Sequence, residues 1–443
     1  MELSHWRAPY ATSPVDATVQ VPGSKSLTNR FLILAALADG PSRLRAPLIS
    51  RDSLLMVNAL RALGADCEEV AGDGAFGPDL LVTPVDFSKP HDASIDCGLA
   101  GTVMRFVPPL AALRRGTTSF DGDPHARKRP MGAVIEALRG LGARIDGDGA
   151  QSLPFSVTGT GEVPGGRLVV DASASSQFVS ALLLVGARFT TGLHLEHVGP
   201  PVPSLDHIAM TVKVLREVGV EVDDSVPNQW RVSPGAITAF DVRIEQDLSN
   251  AGPFLAAALV TGGTVRIPNW PVGTTQVGDQ WRQILATLGA KVSLTDSTLT
   301  VTGAASIKGA TFADTSELAP TVAALCALAD SPSVLTGIAH LRGHETDRLK
   351  ALATEINRLG GDVTETADGL AITPAPLHDG LFRTYDDHRM ATAGAILGLA
   401  VPGVEVENIE TTAKTMPQFP ELWADLAATG HPVSAQTHPA SGR

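Results

Sequence analysis

Cysteine is scarce in this chain of 443 residues, which contains only three. Cys67, Cys97 and Cys326 lie far apart and lack the CxxC spacing of zinc-binding and redox motifs. An odd number of widely separated thiols argues against a disulfide framework and against a structural zinc site. The sequence therefore predicts a protein of the reducing cytoplasm that binds no metal.

Long apolar runs and a positive net charge are missing as well. The longest apolar segments, such as 31–38 and 254–260, fall far short of the ~20 residues that a membrane-spanning helix requires. The first ten residues include Glu2 and Arg7 where a signal peptide would carry an apolar run. A formal net charge of −13 disfavours general binding to nucleic acids or membrane surfaces. We expect no membrane partner and no nucleic-acid partner.

Aromatic side chains and lysines are few. Aromatic residues make up 5% of the chain and hydrophobic residues 44%, which favours many slender helices packed on sheets in a soluble protein. The length predicts two or three domains. Three of the eight lysines, Lys25, Lys128 and Lys414, fall in short polar motifs. Cations concentrated in an acidic protein indicate a local site for anions.

A helical pattern that ends in Leu-Gly-Ala, or in a close variant, returns along the whole chain. Its glycines follow one another at steps of 70 to 78 residues, and the sixth is the weakest match. A glycine at this place predicts a helix end in the left-handed conformation, followed directly by a strand. The glycines are Gly64, Gly142, Gly219, Gly289, Gly360 and Gly430.

Each of these helices is preceded by another helical segment, and β-rich segments lie before, between and after the two. The predicted unit is strand–helix–strand–helix–strand–strand, repeated six times. A helical solenoid is the alternative, but its repeats usually span about 20–50 residues and lack such strands. Slightly longer units in the first half predict two similar halves with a boundary near Phe240. The first helices of the units are expected at 27–38, 103–113, 177–186, 250–260, 318–328 and 390–399.

The starts of several first helices carry cations. Lys25, Arg105 and Arg389 stand near the beginning of their predicted helices, although the helix dipole favours anions there. Further cations occur in loops, at 127–129 and 413–415. Each loop alone could be a solvated surface, and each neighbouring Ser or Asp could be an ordinary helix cap. Together they predict a pocket for more than one anionic group.

Seven short motifs follow one another along nearly the whole chain. They are Pro22-Gly23-Ser24-Lys25-Ser26 with Asn29-Arg30, Ala100-Gly101-Thr102-Val103-Met104-Arg105, Arg129-Pro130, Ser175-Ser176-Gln177, Glu345-Thr346-Asp347-Arg348, Asp387-His388-Arg389-Met390 and Thr412-Ala413-Lys414-Thr415. Together they resemble the enolpyruvyl transferases, and within them the enzymes that act on shikimate 3-phosphate. The resemblance implies an α/β (α+β) fold, a two-domain inverted α/β barrel of six βαβαββ repeats with three per domain. It implies an N-terminal domain of 23–240 and a second domain of 1–22 plus 241–433, while the polar tail 434–443 is expected to be disordered.

The resemblance also implies an enzyme that transfers the enolpyruvyl group of phosphoenolpyruvate to the 5-hydroxyl of shikimate 3-phosphate and releases phosphate. Its partners would be these two small molecules, it would need no cofactor, and we expect a monomer. Lys25 is expected to touch both substrates. Expected contacts of shikimate 3-phosphate are Ser26, Arg30, Ser175, Ser176, Gln177 and Ser204, with Glu317 and His344 also counted as substrate-binding. Expected contacts of phosphoenolpyruvate are Gly101, Arg129, Arg348, Arg389 and Lys414.

The expected catalytic residues are Glu317, Glu345 and Lys25. The reaction needs a base for the hydroxyl and an acid for the methylene carbon, which we assign to Glu317 and Glu345, with Lys25 assisting. Glu317 stands where many members of the family have Asp, and His344 stands where many have Lys. A neutral imidazole at His344 can still hydrogen-bond or relay a proton, but it lowers the local positive charge. His340 faces the substrate or is structural, and the order of acid and base steps stays open.

Two other functions fit parts of the pattern. Enzymes that transfer the same group to UDP-N-acetylglucosamine typically carry a reactive cysteine before the Arg-Pro motif, and the loop 123–128 has none. RNA-end-processing proteins use related units, but the net charge and the lack of aromatics beside the basic loops disfavour RNA binding. A GxGxxG match at 72–77 lies between two strand patterns, so we expect a hairpin turn there. Transfer to shikimate 3-phosphate is the preferred hypothesis.

Overall fold

The computed structural model describes residues 4–147 and 151–430. Helices and strands follow the recurring order that the repeats predict. Up to residue 232 the elements are β1 (His5–Arg7), β2 (Asp16–Thr18), α1 (Lys25–Leu37), β3 (Ser42–Arg45), α2 (Arg51–Ala62), β4 (Asp66–Val70), β5 (Asp79–Thr83), β6 (Ala93–Asp96), α3 (Gly101–Ala112), β7 (Arg115–Asp121), α4 (Gly132–Gly140), β8 (Arg144–Asp146), β9 (Phe155–Thr160), β10 (Gly166–Val170), α5 (Gln177–Gly186), β11 (Leu193–His197), α6 (Leu205–Glu217), β12 (Val222–Asp223) and β13 (Gln229–Val232).

The second half continues in the same order. Its elements are β14 (Asp241–Arg243), α7 (Leu248–Thr261), β15 (Thr264–Ile267), α8 (Trp281–Thr287), β16 (Lys291–Thr295), β17 (Thr298–Thr302), β18 (Thr311–Ala313), α9 (Ala319–Ala327), β19 (Ser333–Thr336), α10 (Arg348–Arg358), β20 (Asp362–Glu365), β21 (Leu370–Thr373), β22 (Gly380–Phe382), α11 (His388–Ala400), β23 (Val404–Glu407) and α12 (Phe419–Ala428). Short 3₁₀ turns at Ser316–Leu318, Ala339–Gly343 and Ile409–Lys414 accompany them. All six predicted first helices are present, as α1, α3, α5, α7, α9 and α11.

Five four-stranded sheets share one strand order. In the sheet β6-β7-β9-β8, β6 runs parallel to β7, and the remaining neighbours are antiparallel. Each of these sheets thus combines one parallel strand pair with a closing hairpin. The hairpin β4–β5 encloses residues 72–77, so the GxGxxG match there is a hairpin connection, as predicted.

The first and fourth units exchange their first strands. β14 pairs in parallel with β3 of the first unit, and β2 pairs in parallel with β15 of the fourth. The two crossing segments touch where Gly23 forms a bridge to Gln246. By pairing, β14 lies in a sheet of the first half, although the predicted boundary after residue 240 counts it with the second. The predicted domain limits stay a prediction, and the exchange means that no single cut separates two complete halves.

The sixth unit departs from the predicted repeat. Within residues 4–147 and 151–430 its sheet has three strands, in the order β1-β23-β22. β22 and β23 run parallel, whereas β1, from the start of the chain, is antiparallel to β23. In the described residues the chain reaches Gly430 after α12 without a closing hairpin, and β1 covers the strand edge that a hairpin would cover. The predicted tail 434–443 lies outside the described residues.

The predicted left-handed helix ends are confirmed in five units and wrong in the sixth. The glycine φ angles lie between 85° and 103° in the first five, a range that side chains with a Cβ rarely adopt. The φ angle of Gly430 does not lie in the left-handed range. The five are Gly64, Gly142, Gly219, Gly289 and Gly360.

Each half has its own hydrophobic core. One cluster draws on residues 27–244, and the other on 8–21 together with 248–427. The first helices of the units form the centre of these cores, and in α1 the side chains from Leu32 to Leu37 are fully buried. Helices that are apolar on all sides must lie inside a protein. Within 4–147 and 151–430, no helix is both long enough and apolar enough to cross a membrane.

Candidate active site

The starts of the buried helices meet at a cavity of about 320 Å³ between the two halves. Helices α1, α3 and α5 reach it from the first half, and α7, α11 and the 3₁₀ turn before α9 reach it from the second. Backbone N–H groups at such helix starts favour anions. Thirteen of the fifteen predicted site residues line this cavity. They are Lys25, Ser26, Arg30, Gly101, Arg129, Ser175, Gln177, Glu317, His344, Glu345, Arg348, Arg389 and Lys414.

Two predicted substrate contacts lie outside the lining. Ser176 is buried at the start of α5, one residue behind Ser175. Ser204 begins α6 in the left-handed conformation, and its hydroxyl lies 2.7 Å from the hydroxyl of Ser316 in the other half. Ser176 is thus next in sequence to two lining residues, and the Ser204 hydroxyl lies 3.5 Å from Nε2 of the lining residue His340.

The cavity is rich in positive charge although the protein is acidic. Seven cationic side chains line it against four carboxylates, in a chain whose formal net charge is −13. Such a surplus of fixed positive charge binds anionic ligands. The cations are Lys25, Arg30, Arg105, Arg129, Arg348, Arg389 and Lys414, and the carboxylates are those of Asp52, Asp247, Glu317 and Glu345.

Lys25 stands at the crossing between the halves. Its backbone N–H donates to Asp247 Oδ2 over 3.1 Å, and its ammonium lies 3.9 Å from Asp52 Oδ2. Burial lowers the pKa of Lys25, while the charge of Asp52 partly opposes this shift. Asp52 thus holds the ammonium at the first-half wall through a long ion pair, and the ammonium can approach a ligand in the cavity.

Arg30 is largely committed to the protein. Its Nε donates to Thr211 Oγ1 (2.8 Å), one terminal nitrogen donates to the Ser26 carbonyl (2.9 Å), and the other donates to the His207 carbonyl (2.9 Å) and weakly to Ser180. Since a guanidinium has five N–H groups, one remains for a ligand. Arg30 therefore supports the cavity wall as well as its charge.

Gly101 allows two guanidinium groups to approach the start of α3. A Cβ at this position would lie 2.9 Å from a terminal nitrogen of Arg129 and 3.1 Å from one of Arg105. Arg105 donates to Gln177 Oε1 over 2.7 Å, and Arg129 donates to the Leu99 carbonyl over 3.1 Å. The Nε atoms of both arginines are buried without a hydrogen-bond partner among the described residues. Unpaired buried donors of this kind mark a place for an acceptor group.

The second-half wall holds a buried ion-pair network. Arg348 donates to both oxygens of Asp387 (2.8 and 3.1 Å) and to Glu345 Oε2 (3.0 Å), while Lys414 contacts Glu345 Oε1. Burial opposes ionisation of Glu345, but the charges of Lys414 and Arg348 outweigh it and lower its pKa well below the ordinary value. Asp387 also caps α11 by accepting from the backbone N–H of Arg389 over 2.8 Å. The network fixes the cations that face the cavity.

Glu317 belongs to the second half as well and lies where the two halves meet. Its Oε1 accepts from Ser249 over 2.7 Å and lies 3.6 Å from Arg389, and its Oε2 lies 3.0 Å from His207 Nε2. Burial alone would raise its pKa, but His207, Arg389 and the hydrogen bonds lower it well below the ordinary value. Glu317 is therefore a carboxylate at neutral pH.

Three further histidines stand at the cavity. Burial and the nearby charges of Arg348 lower the pKa of His340 and, more strongly, of His344, and burial with Arg389 lowers that of His388. These imidazoles are neutral at pH 7 and can donate or accept hydrogen bonds. His340 lines the cavity, so it faces the space where a substrate would bind.

Several lining residues were not predicted. Arg105 stands near a predicted helix start, but the sequence gives it no specific role. Asp52, Asp247 and His207 carry no signal in the sequence, because Asp247 is an ordinary N-cap and His207 lies inside an amphipathic helix. Only their partners across the cavity reveal them. Within the described ranges, no group of three His, Cys, Asp or Glu side chains could hold a metal ion.

Two ionised carboxylates in a cleft rich in cations define an enzyme that carries out acid–base chemistry on small anionic substrates. The family profile of EPSP synthase (3-phosphoshikimate 1-carboxyvinyltransferase) matches residues 9–423. A relative from Kocuria rhizophila, a 3-phosphoshikimate 1-carboxyvinyltransferase, is 60% identical over 438 residues, covering 96% of this chain and 98% of that protein. The chain belongs to the EPSP synthase family, and it is a transferase.

Solved structures agree with this family. One structure of EPSP synthase from Acinetobacter baumannii superposes with a TM-score of 0.77 at 25% sequence identity, covering 94% of this chain and 97% of that one. A second from the same organism gives a TM-score of 0.75 at 24% identity, covering 95% and 97%, and it supports the fold alone. The predictions of the family and of the two-domain α/β fold are confirmed.

Proposed function

We propose that the cavity binds shikimate 3-phosphate and phosphoenolpyruvate together and transfers the enolpyruvyl group to the 5-hydroxyl. The hydroxyl oxygen bonds to C2 of phosphoenolpyruvate while its proton is removed and C3 gains a proton to become a methyl group. In the second step the C2–O bond to phosphate breaks, and loss of a methyl proton restores the double bond. The products are 5-enolpyruvylshikimate 3-phosphate and inorganic phosphate.

One observation carries this proposal: seven cations and two ionised glutamates converge at a single cavity between the halves. Two phosphate groups and two carboxylates enter with the substrates, and a net positive cavity offsets that charge. Arginine forks suit both kinds of anion.

We assign the two substrates to two different sets of residues at the cavity. Ser26, Arg30, Ser175 and Gln177 of the first half would hold shikimate 3-phosphate, with Ser176 and Ser204 supporting them from behind and His344 adding a neutral hydrogen-bonding group. Arg129 at Gly101, together with Arg348, Arg389 and Lys414 of the second half, would hold phosphoenolpyruvate. The unpaired Nε of Arg129 supports its assignment to an anion. Lys25 would lie between the two.

Glu317 would be the base. Its lowered pKa keeps it ionised, and a base must be unprotonated when it meets the hydroxyl. His207, Ser249 and Arg389 contact its two oxygens. They leave lone pairs of the carboxylate for the acceptor, since an ionised carboxylate accepts about four hydrogen bonds.

Glu345 would be the acid, and it must therefore gain a proton. The charges of Lys414 and Arg348 hold it as an anion. Once the phosphate and carboxylate of phosphoenolpyruvate share these cations, their hold on Glu345 weakens and its pKa rises. Substrate binding would thus convert Glu345 into a proton donor, and the cations would stabilise the charged intermediate. Lys25 would assist either transfer.

We further propose that the protein acts as a monomer in the cytoplasm, without a membrane or nucleic-acid partner. Both walls of the cavity come from one chain, so a second copy is not needed to complete it. The acidic net charge supports the lack of a nucleic-acid partner.

The test is an assay of phosphate release from the purified protein with both substrates. We expect release with shikimate 3-phosphate and phosphoenolpyruvate together and none with either alone. UDP-N-acetylglucosamine in place of the acceptor serves as the control and should give no release. Release with the UDP-sugar alone as acceptor, or none with shikimate 3-phosphate, would overturn the proposal.

A further inference from the structure

A direct contact joins the two halves at the proposed base. His207 lies in the first turn of α6, in the first half, and its Nε2 is 3.0 Å from Glu317 Oε2 in the second half. Both side chains are mostly shielded, with 14% and 21% of their surface exposed. A hydrogen bond to a carboxylate in such surroundings is stronger than one in water.

The backbone holds His207 firmly in place. Its carbonyl accepts from Arg30 over 2.9 Å and from the hydroxyl of Thr211 over 2.9 Å. One turn earlier, the hydroxyl of Ser204 meets that of Ser316, the residue before Glu317. Two residues on each side therefore meet across the cleft, and these contacts fix the backbone that carries the imidazole.

The other partners of Glu317 belong to its own half. Ser249 starts α7, and Arg389 starts α11, and both contact Oε1. They stay beside the carboxylate if the halves separate, whereas His207 leaves with the first half. Of these three contacts, the one from His207 alone depends on closure of the cleft.

We propose that His207 is a positioning residue for the transfer. Across the closed cleft it donates a hydrogen bond from Nε2 to Glu317 Oε2 and so orients the carboxylate that acts as the base. This inference rests on the proposed function. The hydrogen bond fixes one oxygen of the carboxylate and leaves the acceptor hydroxyl to approach its free lone pairs. Since only the closed cleft brings His207 to Glu317, the base is complete when both halves enclose the substrates.

Other charges also act on Glu317, and the test must hold them constant. They come from every element packed around it. These groups are Lys25 and Arg30 of α1, Asp247 before α7, His340 of the 3₁₀ turn at Ala339–Gly343, Arg348 of α10 and Arg389 of α11. Substitution at position 207 leaves all of them in place.

The experiment compares His207→Leu with His207→Gln in steady-state kinetics over a range of pH. Gln keeps an N–H donor at a similar reach, and Leu removes it. We expect kcat of the Leu variant to fall roughly 10- to 100-fold, the effect of losing a hydrogen bond to a charged group, with a smaller change in KM. The acidic limb of its kcat–pH profile should move to higher pH, because Glu317 loses a partner that favours the carboxylate. The Gln variant should retain most of kcat and a limb near that of the wild type.

The matched control is His194→Gln, which alters a half-buried histidine of β11 that contacts Gln229 and does not line the cavity. It should leave kcat and the pH profile unchanged. Equal losses in the Leu and Gln variants, or a Leu variant with the kcat and the limb of the wild type, would overturn the inference. If the Leu variant does not fold, His207→Asn replaces it, because the Asn side chain is too short to reach Oε2. The kinetics of His207→Asn are then compared with those of His207→Gln. Turnover by the wild-type protein tests the proposed function separately.

Discussion

Asp387 is the buried carboxylate on which the second-half wall depends, and replacing it with Asn tests this part of the structure. Its side chain is fully buried. Oδ2 accepts from Arg348 Nε over 2.8 Å, and Oδ1 accepts from a terminal nitrogen of Arg348 and from the backbone N–H of Arg389. To keep the cap on α11, the new amide must turn its oxygen towards Arg389. Its NH₂ group then faces Arg348 Nε, so that a donor meets a donor.

The variant leaves the buried guanidinium of Arg348 with Glu345 as its one remaining carboxylate partner among the described residues. Breaking a buried ion pair by removing one member costs about 3–5 kcal/mol. For a unit of 150–250 residues this corresponds to a Tm lowered by roughly 6–20 °C. We also expect KM for phosphoenolpyruvate to rise, because Arg348 is free to turn away from the cavity.

The assay is thermal unfolding followed by circular dichroism, together with kinetics in which phosphoenolpyruvate is varied. Asp386→Asn is the matched control, because it makes the same chemical change one residue away at an exposed side chain. Its left-handed backbone also suits Asn. The control should change stability by no more than about 0.5 kcal/mol. If Asp387→Asn loses no more stability than Asp386→Asn, the role given to the Arg348 ion pair is wrong.

Two further predictions concern the same cavity. Gly101→Ala places a methyl group 2.9 Å from Arg129 and should raise KM for phosphoenolpyruvate in steady-state assays. Gly235→Ala is the control, because its methyl group meets nothing within 4 Å, and it should leave KM unchanged. An unchanged KM in both variants would contradict the prediction. The lowered pKa of Glu345 means that its ion pairs stabilise the fold fully above about pH 4.3, the ordinary value for Glu, and lose that effect as pH falls towards the lowered value. Urea unfolding at pH 7 and pH 3.5 should show this loss, and Glu345→Gln should show a smaller difference between the two pH values; equal differences would refute it.

The repeated units were predictable because their signals are local. A buried helix shows itself as an uninterrupted apolar segment, and the glycine that ends the second helix marks a fixed distance to the next strand. The exchange of β2 and β14 and the pairing of β1 with β23 were not predictable in the same way. These pairings join segments hundreds of residues apart, and a strand's own residues do not specify which neighbour it will find.

In the site, too, residues with a local signal were predictable, and residues whose partners are distant in sequence were not. The cations at helix starts were recognisable because they contradict the preference of the helix dipole. His207 was missed, since its partner Glu317 is 110 residues away and a histidine in an amphipathic helix has no special pattern. The internal bonds of Arg30 were equally hidden. Its acceptors come from α6 and α5 as well as from its own helix, and only packing brings them together.

Because β2 and β14 are exchanged between distant units, each pairs with a strand that is synthesised at a very different time. β2 leaves the ribosome early, yet its partner β15 begins at residue 264, on the order of 10–50 s later at ordinary translation rates. During this interval the edge of β3 is open as well, because β14 has not yet been made. Exposed edges of this kind invite pairing with other chains. The first half can therefore complete its strand pairing only after the second half has been synthesised. A fragment that ends at residue 240 would keep β2 unpaired and the edge of β3 open.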